Sequence, residues 1–138
     1  MTPEPQERRT IASGAVWEPI VGYSRAVRVG PWVAVSGTTT LLDDGEPVGG
    51  DDVVEQARAA IGRVVAALTE AGAGLEDVVR TRMFVTDISR WEDIGRVHGE
   101  VFGSVLPATS MVEVAALIHP RLLFEIEADA VVAAPATG

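Results

Sequence analysis

The sequence predicts a single α+β domain over residues 1–138, in which one sheet of about six strands carries two helices on one face. Three observations lead there. From Val53 the apolar positions Val54, Ala57, Ile61, Val64, Val65 and Leu68 recur at helical spacing. In "FEIEADAVV" the alternation is strict, with Phe124, Ile126, Ala128 and Ala130 against Glu125, Glu127 and Asp129. Along the chain these two periods follow one another in the order β, β, β, α, β, α, β, β.

Each element has its own signal. "RTIAS" is a short strand candidate, and "SRAVRVG" and "WVAVSGTTTL" form a hairpin joined at Gly30 and Pro31. The polar run "DDGEPVGGDD" is a turn leading into a helix, whose start carries Asp52 and Glu55 at capping-box spacing. That helix stops at Gly72 and Gly74. "VVRTRMFVTDI" alternates Val79, Thr81, Met83 and Val85 against Arg80, Arg82, Phe84 and Thr86, as a strand does. A second helix fits "RWEDIGRVHGEVFG", with Trp91, Ile94, Val97 or His98, and Val101 along one side. Strands "ATSMVEVAAL" and "FEIEADAVV", parted by the turn "IHPRLL", complete the sheet. Residues 1–7 and 135–138 are expected to fray.

Composition narrows the chemistry. Cysteine is absent, which excludes disulfides, thiolate metal sites and thiol nucleophiles. All eleven basic residues are arginines, so a Schiff-base lysine and an internal pyridoxal aldimine are excluded too. A formal charge of −9 with scattered arginines opposes nucleic-acid binding. No apolar run approaches the roughly 20 residues of a membrane span, and "MTPEPQERRTIA" lacks a signal-peptide apolar stretch. A cytoplasmic protein with neither a nucleic-acid nor a membrane partner is the expectation.

Two helices cover only one side of such a sheet. Met83, Phe84, Met111, Val112 and Val114 nevertheless place apolar surface on both sides, and the second face carries three acids. Association of sheets from neighbouring subunits resolves this.

Six segments, taken in order, resemble the YjgF/RidA-type reactive-intermediate deaminases: "YSRAVRVG", "WVAVSG", "EQARAAIGRVVAAL", "AGAGLEDVVRTRMFVTDI", "PATSMVEVAAL" and "FEIEADAVV". The resemblance implies a chorismate-mutase-like fold and a homotrimer whose interface clefts take small imine or enamine acids. It further implies hydrolysis of a 2-imino acid to the 2-keto acid and ammonia, with neither metal nor organic cofactor. In the family a guanidinium in "PARS" holds the substrate carboxylate. Here the segment is "PATS", and Thr109 stands in the arginine's place. Losing a charged hydrogen bond of about 1.5–3 kcal/mol weakens binding roughly ten- to a hundredfold. The family's acid matches Glu125, a carboxyl able to position or activate water, and its tyrosine matches Tyr23. Gly95 and His98 depart from the family's "NevY".

The remaining candidates each have two readings. Arg82 either substitutes for the missing arginine or pairs with an acid on a neighbouring strand, and Arg121 has the same pair of readings. His98 is a general acid/base or a packed helix residue, with His119 a weaker second. Tyr23 and Trp91 offer flat faces to a ligand, though core packing also explains Trp91. Ser36 fits a backbone-bonding hydroxyl, there being no sequence sign of a triad. Two functions stay open: a cofactor-free hydrolase or deaminase acting on a C=N bond of a non-standard substrate, and a non-catalytic ligand-binding or interaction trimer, its small-molecule ligand a carboxylate in one reading.

Overall fold

The computed structural model describes residues 7–133, so the ends expected to fray lie outside it except for residue 7. Eleven elements follow one another: β1 (Arg8–Ile11), α1 (Trp17–Val21), β2 (Ala26–Val29), β3 (Trp32–Thr38), β4 (Leu42–Asp43), β5 (Glu46–Pro47), α2 (Val53–Glu70), β6 (Val78–Val85), α3 (Trp91–Phe102), β7 (Ala108–Glu113) and β8 (Phe124–Val131). Six strands form one sheet in the order β1-β2-β3-β8-β6-β7, while β4 and β5 make a separate small hairpin. Only β6 and β7 pair in parallel. A parallel pair needs a long crossover, and α3 lies in that connection.

The β2–β3 hairpin turns at Gly30 and Pro31, with Val29 opposite Trp32 and Gly30 at φ +56°. At the start of α2 the Asp52 carboxylate accepts from the Val54 N–H at 2.9 Å. The capping box does not close, because Glu55 turns to Arg58 and the Asp52 N–H donates to the Gly49 carbonyl. α2 ends as a Schellman motif: the Ala73 N–H reaches the Leu68 carbonyl at 2.8 Å, and Gly72 sits at φ +81°. Gly74 has negative φ and plays no part in the stop.

α2 packs on β3 and β8, and α3 packs on α2. Between helices and sheet lie Ile61, Val64, Leu68, Ile94, Phe102, Phe124 and Ile126, all buried. Each such side chain contributes about 1.5–3 kcal/mol through its removal from water. Phe124, Ile126, Ala128 and Ala130 face this core as the alternation predicts, while Glu125, Glu127 and Asp129 are half-exposed on the other face.

Four details differ from the sequence reading. The pairing of β6 with β8 slips between Val78 and Arg80, so Val78 takes the core position opposite Ala130 and Val79 is left exposed. Trp91 opens α3 at 58% exposure instead of joining its buried side. β7 stops at Glu113, and β3 stops at Thr38. Finally, α1 and the β4–β5 hairpin had no counterpart in the reading, being too short for either period to show.

Candidate functional site

The site begins with an irregularity in β3. Val35 faces Ala128 and Thr38 faces Ile126, so Ser36 and Gly37 together oppose the one residue between. Such a bulge bends the strand and re-aims its side chains. Gly37 is needed there for space, since a Cβ at this position would run into the Glu125 carboxyl. The glycine thereby lets that carboxyl lie over the β3 backbone.

Beside it opens a cleft of about 440 Å³. Tyr23, Arg25, Ser36, Gly37, Arg63 and Glu125 supply its chemistry, and Val16, Val21, Leu41 and Ile118 line the apolar rest. α1 builds the upper wall. Its Glu18 carboxylate accepts hydrogen bonds from Ser13 N, Ser13 Oγ and Ala15 N, fixing the turn that precedes the helix. Gly22 at φ +86° then ends α1 and swings the chain so that Tyr23 reaches the cleft.

Arg25 is the hub of the floor, at 4% exposure. Its Nη1 donates to the Gly37 carbonyl at 2.6 Å, to Thr38 Oγ1 at 3.0 Å and to Ser36 Oγ at 3.1 Å. Its Nε donates to Ser13 Oγ at 3.2 Å, and its guanidinium carbon lies 5.6 Å from the centre of the Tyr23 ring. Glu18 stands 3.8 Å away as counter-ion. Burial pushes the Glu18 carboxyl up, but the Ser13 and Ala15 hydrogen bonds and Arg25 together bring it below its usual value. Arg63 reaches over from α2, donating to the Thr39 carbonyl at 2.7 Å.

Glu125 is the unusual acid. Burial first, and then the neighbouring Glu127 carboxylate, push its pKa up, against a smaller opposing pull from Arg25. No hydrogen bond among the described residues is among the causes acting on its carboxyl. It is therefore poised to exchange a proton or hold a water.

Of the residues singled out in the sequence, the cleft brings together Glu125, Tyr23 and Ser36. Ser36 Oγ also donates to the Arg25 carbonyl, the backbone work expected of it. Thr109 and His98 meet elsewhere, on the helix side of β6 and β7. His98 Nε2 and Thr81 Oγ1 are 2.8 Å apart, Thr81 Oγ1 and Thr109 Oγ1 are 2.8 Å apart, and the Thr109 hydroxyl donates to the Pro107 carbonyl. With each hydroxyl holding one hydrogen, the chain runs from His98 Nε2–H through Thr81 and Thr109 to Pro107. The chain requires a hydrogen on Nε2, and burial, which lowers the His98 pKa, favours the neutral ring in its Nε2–H tautomer. Arg82 lies on the open face of the sheet, where it pairs with Glu127 at 3.1 Å and Asp129 at 3.3 Å. Arg121 pairs with Glu46 and Asp51, and His119 Nδ1 accepts from the Arg121 N–H. None of the four residues Thr109, His98, Arg82 and Trp91 lines this cleft.

Sequence reading missed Arg25 and Arg63. Arg25 had a local signal, standing two residues after Tyr23 in the segment that leads into β2, whereas nothing local marked Arg63 among the arginines of α2.

Residues 14–132 match the family model described as Endoribonuclease L-PSP. The chain belongs to this family. It is also a YjgF/RidA-type protein, as its relatives indicate. An uncharacterized protein, SCO2049 of Streptomyces coelicolor, is 38% identical over 88% of this chain and 90% of its own length. The RutC family protein PYRAB12510 of Pyrococcus abyssi is 38% identical over 82% of this chain and 88% of its own. Among solved structures, Rv2704 from Mycobacterium tuberculosis, a member of the YjgF/YER057c/UK114 family, superposes with a TM-score of 0.83 at 56% identity. That match covers 91% of this chain and all of the other. YyfA from Yersinia pestis, described as a Rid family protein of unknown function, gives a TM-score of 0.79 at 30% identity. The six-stranded α+β fold is thus the fold of the family. Among the described residues, no helix is long and apolar enough to cross a membrane.

Proposed function

We propose that the protein hydrolyses the C=N bond of a small imine acid, or of the imine tautomer of an enamine acid, in the cleft built around Tyr23 and Glu125, working as a homotrimer without metal or organic cofactor. The supporting observation is Glu125 itself, a carboxyl raised by burial at the wall of a cleft that also holds cations. In its carboxylate form Glu125 takes a proton from water as the oxygen attacks the imine carbon. The proton passes to nitrogen, the tetrahedral carbinolamine forms, and its collapse gives the keto acid and ammonia. Raised pKa makes Glu125 a stronger base for the first step and a ready acid for the second. Tyr23 offers a flat face to the unsaturated carbon, and the apolar rim takes a short side chain.

Thr109 supports a mode of substrate binding, and with it a substrate range, that departs from the family's usual one, because no guanidinium projects from that point of β7. The same residue favours a second reading, a trimer that binds a small acid without turning it over. The endoribonuclease description of the family is not carried over to this chain. A net charge of −9, with Arg58, Arg82, Arg90, Arg96 and Arg121 each paired to a carboxylate, opposes counterion release from a nucleic-acid backbone.

The test is to release imines from a panel of amino acids with an oxidase or dehydratase and follow keto-acid formation. Acceleration of at least one imine by the protein is expected. Binding of a keto acid in the cleft without acceleration of any imine would establish the second reading.

A further inference from the structure

We propose that Arg63 of α2, steadied by Arg25, is the anchor that holds a ligand carboxylate in this cleft, so that the anion is bound from the helix side and not from β7. The proposal rests on the cleft being the working site.

Three observations carry it. Arg63 is half-buried yet has no carboxylate within ion-pair distance among the described residues, whereas Arg25 has Glu18, Arg82 has Glu127 and Asp129, and Arg121 has Glu46 and Asp51. A guanidinium partly withdrawn from water, with only the more distant field of Glu18, an acid already claimed by Arg25, gains from a ligand anion. Second, its hydrogen bonds orient it without saturating it. Of roughly five N–H donors, one reaches the Thr39 carbonyl at 2.7 Å and another is 3.5 Å from Ser13 Oγ, which leaves donors for a bidentate carboxylate. Third, Arg63 lines the same cavity wall as Arg25, Tyr23 and Glu125. Two guanidiniums and the single firmly ionised acid Glu18 leave the pocket cationic whenever Glu125 holds its proton.

Burial first and then the nearby Arg25 lower the Arg63 pKa, against smaller opposing pulls from Glu18 and Tyr23, and a bound carboxylate would act in the same direction as Glu18, favouring the charged guanidinium. A ligand held this way has its carboxylate at α2 and its adjoining C=N carbon toward Glu125. Small 2-keto and 2-imino acids fit that arrangement, and their amides do not.

Binding of 2-oxobutyrate and of the neutral 2-oxobutanamide to the full chain, followed by NMR at the Gly37 amide and the Tyr23 ring, tests this. The acid is expected to bind at these resonances and to lose about ten- to a hundredfold in affinity in Arg63→Gln, with Arg63→Lys retaining part of it and the amide unaffected throughout. Thermal melting of each variant verifies the fold, and Arg63→Lys keeps the charge should Arg63→Gln fail to fold. Unchanged affinity of the acid for Arg63→Gln, with the same cleft resonances shifting, would overturn the anchor while leaving the cleft intact. Equal binding of acid and amide to the wild type would overturn it as well. If neither bound at the cleft, both the anchor and the cleft reading would fall.

Discussion

At the scale of single residues, the proposed chemistry rests on Glu125, Gly37 and Arg63. Glu127 raises the Glu125 pKa through its charge, so Glu127→Gln should move the acid limb of the kcat/KM profile to lower pH. A pH profile of imine hydrolysis reads this directly, and an unmoved limb would detach Glu127 from the site. Stability carries the opposite stamp. Since the folded-state pKa of Glu125 lies above its unfolded value, the native state holds more protons in that window and stability falls as pH rises through it. Glu125→Gln should therefore melt higher than wild type at pH 8 and lose that advantage toward pH 4. Gly37→Ala should leave the fold in place yet push the Glu125 carboxyl aside, lowering kcat with little change in Tm. Part of the cleft was legible in the sequence: Glu125 and Tyr23 both line it, while Thr109, His98, Arg82 and Trp91 do not. Arg63 was not, because nothing local tells a helix arginine that reaches into a cleft from one that points to solvent. Thr109 was legible as a substitution, whereas its hydroxyl's place in the His98–Thr81–Thr109 chain depends on the parallel register of β6 and β7, which no local pattern encodes.

Elements act through the way they are tied together. Gln56, fully buried on α2, donates to the Gly50 and Arg121 carbonyls and accepts from the Leu123 N–H. It thus fastens the turn before α2 to the segment that follows Ile118, one of the apolar residues of the cleft. Gln56→Leu strands three buried backbone groups and should cost about 1–3 kcal/mol in chemical denaturation, with a loss confined to a few tenths meaning that water replaces the amide. The long elements were readable because α2 repeats its apolar positions over several turns and β8 alternates over its whole length. Val79 misled the alternation in β6 because a bulge inserts one residue and flips everything before it. The five residues of α1 leave no period to read. Its sign is instead local, the Ser13, Ala15 and Glu18 bonds before it and Gly22 after it.

At the scale of the whole molecule, the sheet has one face that neither α2 nor α3 covers among the described residues. Trp32 and Val112 are both 46% exposed there, beside half-buried Phe84 and the Arg82, Glu127 and Asp129 cluster. Proposed trimer formation would cover this surface and give a sedimentation mass near three times the 14.5 kDa of the chain. Trp32→Glu should shift the mass toward that of one chain by placing a charge against the neighbouring sheet. A wild-type mass of a single chain would leave the open face unexplained.

The most direct measurement compares wild type and Glu125→Gln on an imine that the wild type accelerates, at one pH near neutrality and with keto acid as the readout. A carboxylate that activates the attacking water predicts that kcat falls by about a hundredfold or more while binding of the keto acid at the cleft persists. Equal kcat in the two proteins would contradict the role given to Glu125 and, with it, the hydrolytic function of the cleft.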